Sequence, residues 1–189
     1  MNETLESIYG RSSVRRYRAD RVPEEDVREI IRAGFHAATG MNRQALEFSV
    51  AEDPGFIRRC GRRAVSLLAE SADPSDGIGA MARSLAADPS SDIFYGAPAV
   101  VFVFARPDAA TPVEDGALAI GNMMLAARSM GYGTCYIGLA AAIGGDRGLM
   151  AELGAPADRR YLACMTLGRP DGEAGGSRRP EARILGWVK

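Results

Sequence analysis

The run Arg11-Ser12-Ser13-Val14-Arg15-Arg16-Tyr17 sets cations beside hydroxyl donors. In extended backbone alternate side chains share a side, so Arg11, Ser13 and Arg15 fall together. Guanidinium forks and hydroxyls on one side suit a phosphate and a second electron-rich group nearby. A further cationic spot, Ser177-Arg178-Arg179-Pro180, follows a glycine-rich stretch late in the chain. Each run alone is also what a solvated surface looks like.

Other chemistries lack their residues. The single histidine, His36, falls in a helical stretch among apolar neighbours and reads as structural. A Ser-His-Asp or Cys-His apparatus would depend on it alone, and no Gly-x-Ser-x-Gly elbow is present. Gly77-Ile78-Gly79-Ala80-Met81-Ala82 has the dinucleotide-loop spacing, but the turn-like Ala72 to Asp76 stands where a strand is required. There is no Walker lysine motif and no ligand-spaced metal cluster. Cys60, Cys135 and Cys164 form no Cys-x-x-Cys pair and read as buried thiols of a reducing compartment.

The elements that must position the arginines follow from periodicity. Pro23 opens a helix, with Glu24, Glu25 and Asp26 at its positive dipole end and Val27, Ile30, Ile31, Gly34 and Ala38 on one face. A second helix is predicted over Pro54 to Ala69 and a shorter one over Ile78 to Ala86. Ala99 to Phe104 is a continuous apolar run, expected as a strand buried on both faces. Glu114 to Met130 is the longest helix, apolar nearly all round from Ala117 to Ala127. Such a helix needs burial on every side, which a chain this size supplies with difficulty, so a partner subunit is expected to cover part of it. Thr134 to Gly138 and Tyr161 to Leu167 are further strands. Helices early and strands interleaved late make an α+β pattern.

At 189 residues, 47% hydrophobic and 25% charged, the chain can fill one core, so residues 1–189 are read as a single domain. A net charge of −1 and a pI near 5.9 disfavour nucleic acid and anionic membranes as partners. The first residues, MNETLESIYG, lack a signal-type apolar segment, and no apolar run reaches the roughly 20 residues of a membrane span. A cytoplasmic protein is expected.

Several segments, taken in order, resemble the nitroreductase family of flavin enzymes. Arg11 to Tyr17 is similar to its Arg-Arg-Ser-Val-Arg-x-Phe signature. Ala37-Ala38-Thr39-Gly40-Met41-Asn42-Arg43-Gln44-Ala45-Leu46-Glu47-Phe48 is similar to its Ala-Pro-Ser-x-x-Asn-x-Gln-Pro-Trp-x-Phe segment. Gly96-Ala97-Pro98 before the buried strand, Asp115-Gly116 opening a small-residue helix, Tyr136-Ile137-Gly138 and Leu167-Gly168-Arg169-Pro170 continue the likeness, with Arg178 preceding the terminal segment. There are departures. Ala45-Leu46 replaces Pro-Trp, which removes an aromatic wall and leaves substrate choice open. Gly176 replaces a lysine, so phosphate neutralisation leans on Arg11 and Arg178. Arg83, the only basic residue between Arg63 and Arg106, is a candidate for a contact to the flavin ring.

The resemblance implies a homodimer of α+β subunits, each with a central, mainly antiparallel sheet wrapped by helices, holding FMN at the subunit interface. It implies a ping-pong reaction: NADH or NADPH gives hydride to flavin N5 and leaves, and a small acceptor such as a nitroaromatic or quinone takes the electrons. The cofactor carries the chemistry, so no dedicated nucleophile is needed. By the same likeness Arg11, Ser13 and Arg178 would hold the phosphate, with Ser12 assisting, and Arg15 would sit near N1 and O2. Thr39, Asn42 and Gln44 would reach the ring and ribityl chain from the neighbouring subunit. The loop of Cys135, Tyr136, Ile137 and Gly138 would cover a ring face, with a backbone N–H toward N5. Cys135 itself reads as a packing residue. Two other readings stay open: a family member with specialised chemistry, such as dehalogenation or flavin destruction, and a non-catalytic module that stores or senses flavin.

Overall fold

The computed structural model describes residues 2–73, 76–172 and 179–189. Six α-helices and four strands are defined among them. They run α1 (Glu3–Gly10), α2 (Glu24–Phe35), β1 (Leu46–Ala51), α3 (Pro54–Ser71), α4 (Gly77–Ala87), β2 (Ala99–Ala105), α5 (Pro112–Ser129), β3 (Gly133–Tyr136), α6 (Arg147–Glu152) and β4 (Arg160–Gly168). Short 310 segments lie at Gly40–Asn42 and Gly138–Gly145. The strands form one sheet in the order β1-β2-β4-β3, and all three pairings are antiparallel.

The β2 strand is buried along its whole length. Alternation sends Val100, Phe102 and Phe104 into a core shared with α3, the 310 segment and α6. It sends Ala99, Val101, Val103 and Ala105 into a second core under α2 and α5. The sheet is therefore covered on both faces. Side-chain caps set helix starts: Asp53 accepts from Phe56 N–H at 2.6 Å ahead of Pro54, and Asp146 accepts from Leu149 N–H at 3.0 Å.

The apolar runs predict their elements to within a few residues, with two corrections. The α2 helix ends at Phe35, so Ala38 lies outside it, and His36, expected within the helix among apolar neighbours, is its exposed C-cap. The β3 strand stops at Tyr136, and Gly138 opens the 310 segment instead of closing the strand. The α5 helix buries Ala119, Ile120, Met123 and Ala127 against its own sheet, while Val113 and Leu118, 52% exposed, face away. Gly77 begins α4, which follows α3, so no strand is described ahead of the glycine motif. No described helix is long and apolar enough to cross a membrane.

Candidate functional site

Between α1 and α2 the chain runs extended beside β3. Ser13 forms a parallel bridge with Thr134, and Val14 N–H donates to Thr134 O at 2.9 Å. Farther on, Arg18 N–H donates to Arg169 O at 2.9 Å and Asp171 N–H to Arg16 O at 3.0 Å. The arginine segment thus lies along the β3 edge of the sheet and meets the chain leaving β4. Gly133 permits that contact: a Cβ there would come within 2.6 Å of the Val14 side chain.

A chain of hydroxyls, from half-buried Tyr17 to buried Thr166, ties the segment down. Tyr17 donates its hydroxyl proton to Val14 O at 2.7 Å and lies 2.7 Å from Thr166 Oγ1, which accepts from Cys135 N–H at 3.0 Å. Burial pushes the Tyr17 phenol well above its ordinary range, so it stays a neutral donor. Tyr17 and Thr166 thereby link the backbone beside Arg15 to the start of the Cys135 loop. Burial likewise pushes the Cys60 and Cys164 thiols up to about 12, which leaves them unreactive packing groups.

Arg11, Ser12, Ser13 and Arg15 line one polar cleft of about 310 Å³, and Arg179 joins them. Arg178 lies outside the described residues. The Arg15 guanidinium sits 5.9 Å from the centre of the Tyr95 ring, and Cys135, then the Tyr95 hydroxyl, bias it further toward its charged form. Tyr95 itself takes φ of 58° in a loop whose Phe94 and Gly96 N–H groups donate to Asp92 at 2.8 and 2.7 Å. A left-handed tyrosine facing a site arginine is the kind of strain that collects at working sites. Such a cleft offers several charge-assisted donors to one anion, and a phosphate end of a nucleotide fits that donor set. Beyond β3, Ile137 is buried and Tyr136 and Gly138 are exposed, and none of Cys135, Tyr136, Ile137 and Gly138 is among the residues lining this cleft.

Thr39, Asn42 and Gln44 do not line this cleft. They form a separate loop before β1, near the start of α5, where Gln44 N–H donates to Thr39 Oγ1 at 3.1 Å and Gln44 Nε2 to Asn42 Oδ1 at 3.0 Å. Arg83 lies half-buried on α4 and is not among the cleft's lining residues. Tyr95 and Thr166 are not marked by the sequence, and Tyr17 and Arg179 stand in the two cationic runs without a role assigned to them. Arg179, beside Arg178, and Tyr17, closing the arginine run, have a local signal, whereas Tyr95 and Thr166 have none.

An antiparallel sheet covered by helices, with an arginine and serine cleft at its edge, defines an α+β protein whose cleft has the donors that suit an anion. Residues 8–169 match the model of the Nitroreductase family, and the chain belongs to that family. It is 25% identical over 178 residues to a protein of Archaeoglobus fulgidus provisionally named an NADH dehydrogenase/NAD(P)H nitroreductase, covering 92% of this chain and 88% of that one. A nitroreductase of Bacteroides fragilis solved with bound FMN is similar in structure, with a TM-score of 0.82, 28% identity, and coverage of 100% of this chain and 98% of that one. A nitroreductase of Desulfitobacterium hafniense, also with bound FMN, gives a TM-score of 0.83 and 25% identity with both chains fully covered at 100%.

Proposed function

We propose that the protein is a homodimeric, cytoplasmic, FMN-dependent oxidoreductase that carries hydride from NADH or NADPH to a small acceptor such as a nitroaromatic or quinone. The observation that carries this reading is the cleft joining Arg11, Ser12, Ser13, Arg15 and Arg179. Bound FMN would supply reversible hydride chemistry at N5. Arg11 and Ser13, with Ser12, Arg178 and its neighbour Arg179, would bind the phosphate. Arg15 would place a permanent cation at N1 and O2, where reduction leaves negative charge. Cys135 to Gly138 would cover one face and aim a backbone N–H at N5. Thr39, Asn42 and Gln44 would complete the site from the second protomer.

A second copy is supported by apolar surface that one protomer leaves bare. Val113 and Leu118 on α5 are exposed, as are Ile184, Leu185, Trp187 and Val188 near the end of the chain. Ala45 and Leu46 are both buried. Neither offers an aromatic wall to the acceptor, so selectivity falls to other groups.

The experiment is a visible spectrum of purified protein before and after anaerobic NADH or NADPH. A yellow protein bleached by the nicotinamide, with colour restored by a quinone, is expected. Colour without bleaching leaves a flavin-binding module. Destruction of the flavin on aerobic reduction leaves the specialised reading. A colourless protein that fails to take up added FMN refutes the proposal.

A further inference from the structure

The Thr39–Gln44 loop is held in a conformation that its residues do not favour. Met41, Asn42 and Gln44 have φ of 53°, 54° and 48°. Left-handed backbone is costly for side-chain-bearing residues and persists only where the surroundings over-determine it. The bonds of Gln44 to Thr39 and Asn42 lie within the loop and cannot orient it against the rest of the fold. Among the described residues, two hydrogen bonds reach it from outside. Arg106 approaches Gln44 O at a long 3.4 Å. Asp115, 2% exposed in the first turn of α5, accepts from Gly40 N–H at 2.9 Å and from the Thr111 hydroxyl at 2.7 Å with the same Oδ1. The contact is close: a Cβ on Gly40 would lie 2.1 Å from Thr111 Oγ1.

We propose that Asp115 is a positioning residue that sets Thr39, Asn42 and Gln44 for the flavin site of the second protomer. This rests on the flavin reading above. Asp115 acts through Gly40 and anchors the loop to α5, from the same buried face of the helix that carries Ala119, Met123 and Ala127 onto the sheet. Its Oδ2 has no hydrogen-bond partner among the described residues. The accepting Oδ1 therefore carries the latch, and an amide oxygen can replace it. A carboxylate that served only the N-terminus of α5 would lower the melting temperature without acting across protomers.

The test titrates flavin-depleted dimers with FMN and riboflavin. D115A should weaken both ligands by one common factor of about tenfold, the scale of a lost buried hydrogen bond, because the loop serves the ring and ribityl end. D115N should bind like the parent. R11A should weaken FMN alone. A mixed dimer of one D115A and one R11A protomer should regain one site of parental FMN affinity, since one loop and one arginine cleft are intact across the interface. If D115A does not fold, G40A replaces it with the same expectations. Parental affinity in D115A, a loss confined to FMN, or a mixed dimer without a parental site would overturn the inference. A parent that binds neither flavin overturns the functional reading and the inference with it.

Discussion

Arg11 and Arg15 share one cleft but are assigned different ends of the ligand, and that difference can be measured. Losing a charge-assisted contact to phosphate costs roughly 1.5–3 kcal/mol. Arg11→Ala should therefore weaken FMN binding by about 10- to 100-fold and leave riboflavin unchanged. Equal weakening of both would point to general damage. Arg15→Gln keeps polarity and removes charge. Flavin should still load, but the two-electron midpoint potential should fall by about 30–65 mV, because about 30 mV corresponds to 1.4 kcal/mol. Dye equilibration measures this, and a shift below about 10 mV in a loaded variant would remove Arg15 from N1. The cations and hydroxyls of this site are legible in sequence because residue type and alternation are local. The bond between Tyr17 and Thr166 is not, because it joins positions 149 residues apart. Asp115 reads only as a helix-start acid until Gly40 is brought to it by the fold.

Among the elements, strong patterns were readable and weak ones were not. The uninterrupted apolar run of β2 and the amphipathic faces of α2 and α3 declare themselves. The α1 helix buries no residue in the protomer, so no core stripe marks it. The β1 strand has a mixed burial pattern, and the stretch after Tyr136 is apolar and glycine-rich without helical rhythm. Contacts between elements give a pH prediction. Asp146 caps α6 and accepts from Arg63 of α3 at 2.7 Å, and the Arg63 bond, followed by the Leu149 N–H, holds its carboxyl below the usual range. A depressed folded value contributes stability that is present above the unfolded value of about 4 and is lost as pH falls through the folded one. Asp146→Ala should lower the melting temperature at pH 7, and the gap to the parent should close as the solution is acidified through that range. A gap unchanged in acid would assign the loss to something other than the carboxylate charge.

At the scale of the whole molecule, the exposed side of α5 is the feature to probe. Leu118→Glu adds a charge at a position that is half exposed in one protomer, so an isolated subunit should tolerate it. In a dimer closed over that face it buries an unpaired carboxylate. Sedimentation should show the parent as a dimer and the variant shifted toward monomer, with flavin lost in parallel. A variant that stays dimeric would move the interface elsewhere. The two ends of the cleft carry a different consequence. Arg11 precedes nearly the whole fold and Arg179 follows β4, yet both line one cavity. During synthesis the first arginine waits for the last, so the complete cleft cannot exist on a growing chain. A ligand that binds only the folded form stabilises it by mass action. Only chains translated past residue 179 would gain that stabilisation in full, because a chain cut just after β4 keeps Arg11, Ser12, Ser13 and Arg15 alone to hold the ligand. Flavin kept through dilution would then mark finished molecules, since truncated ones would release it more readily.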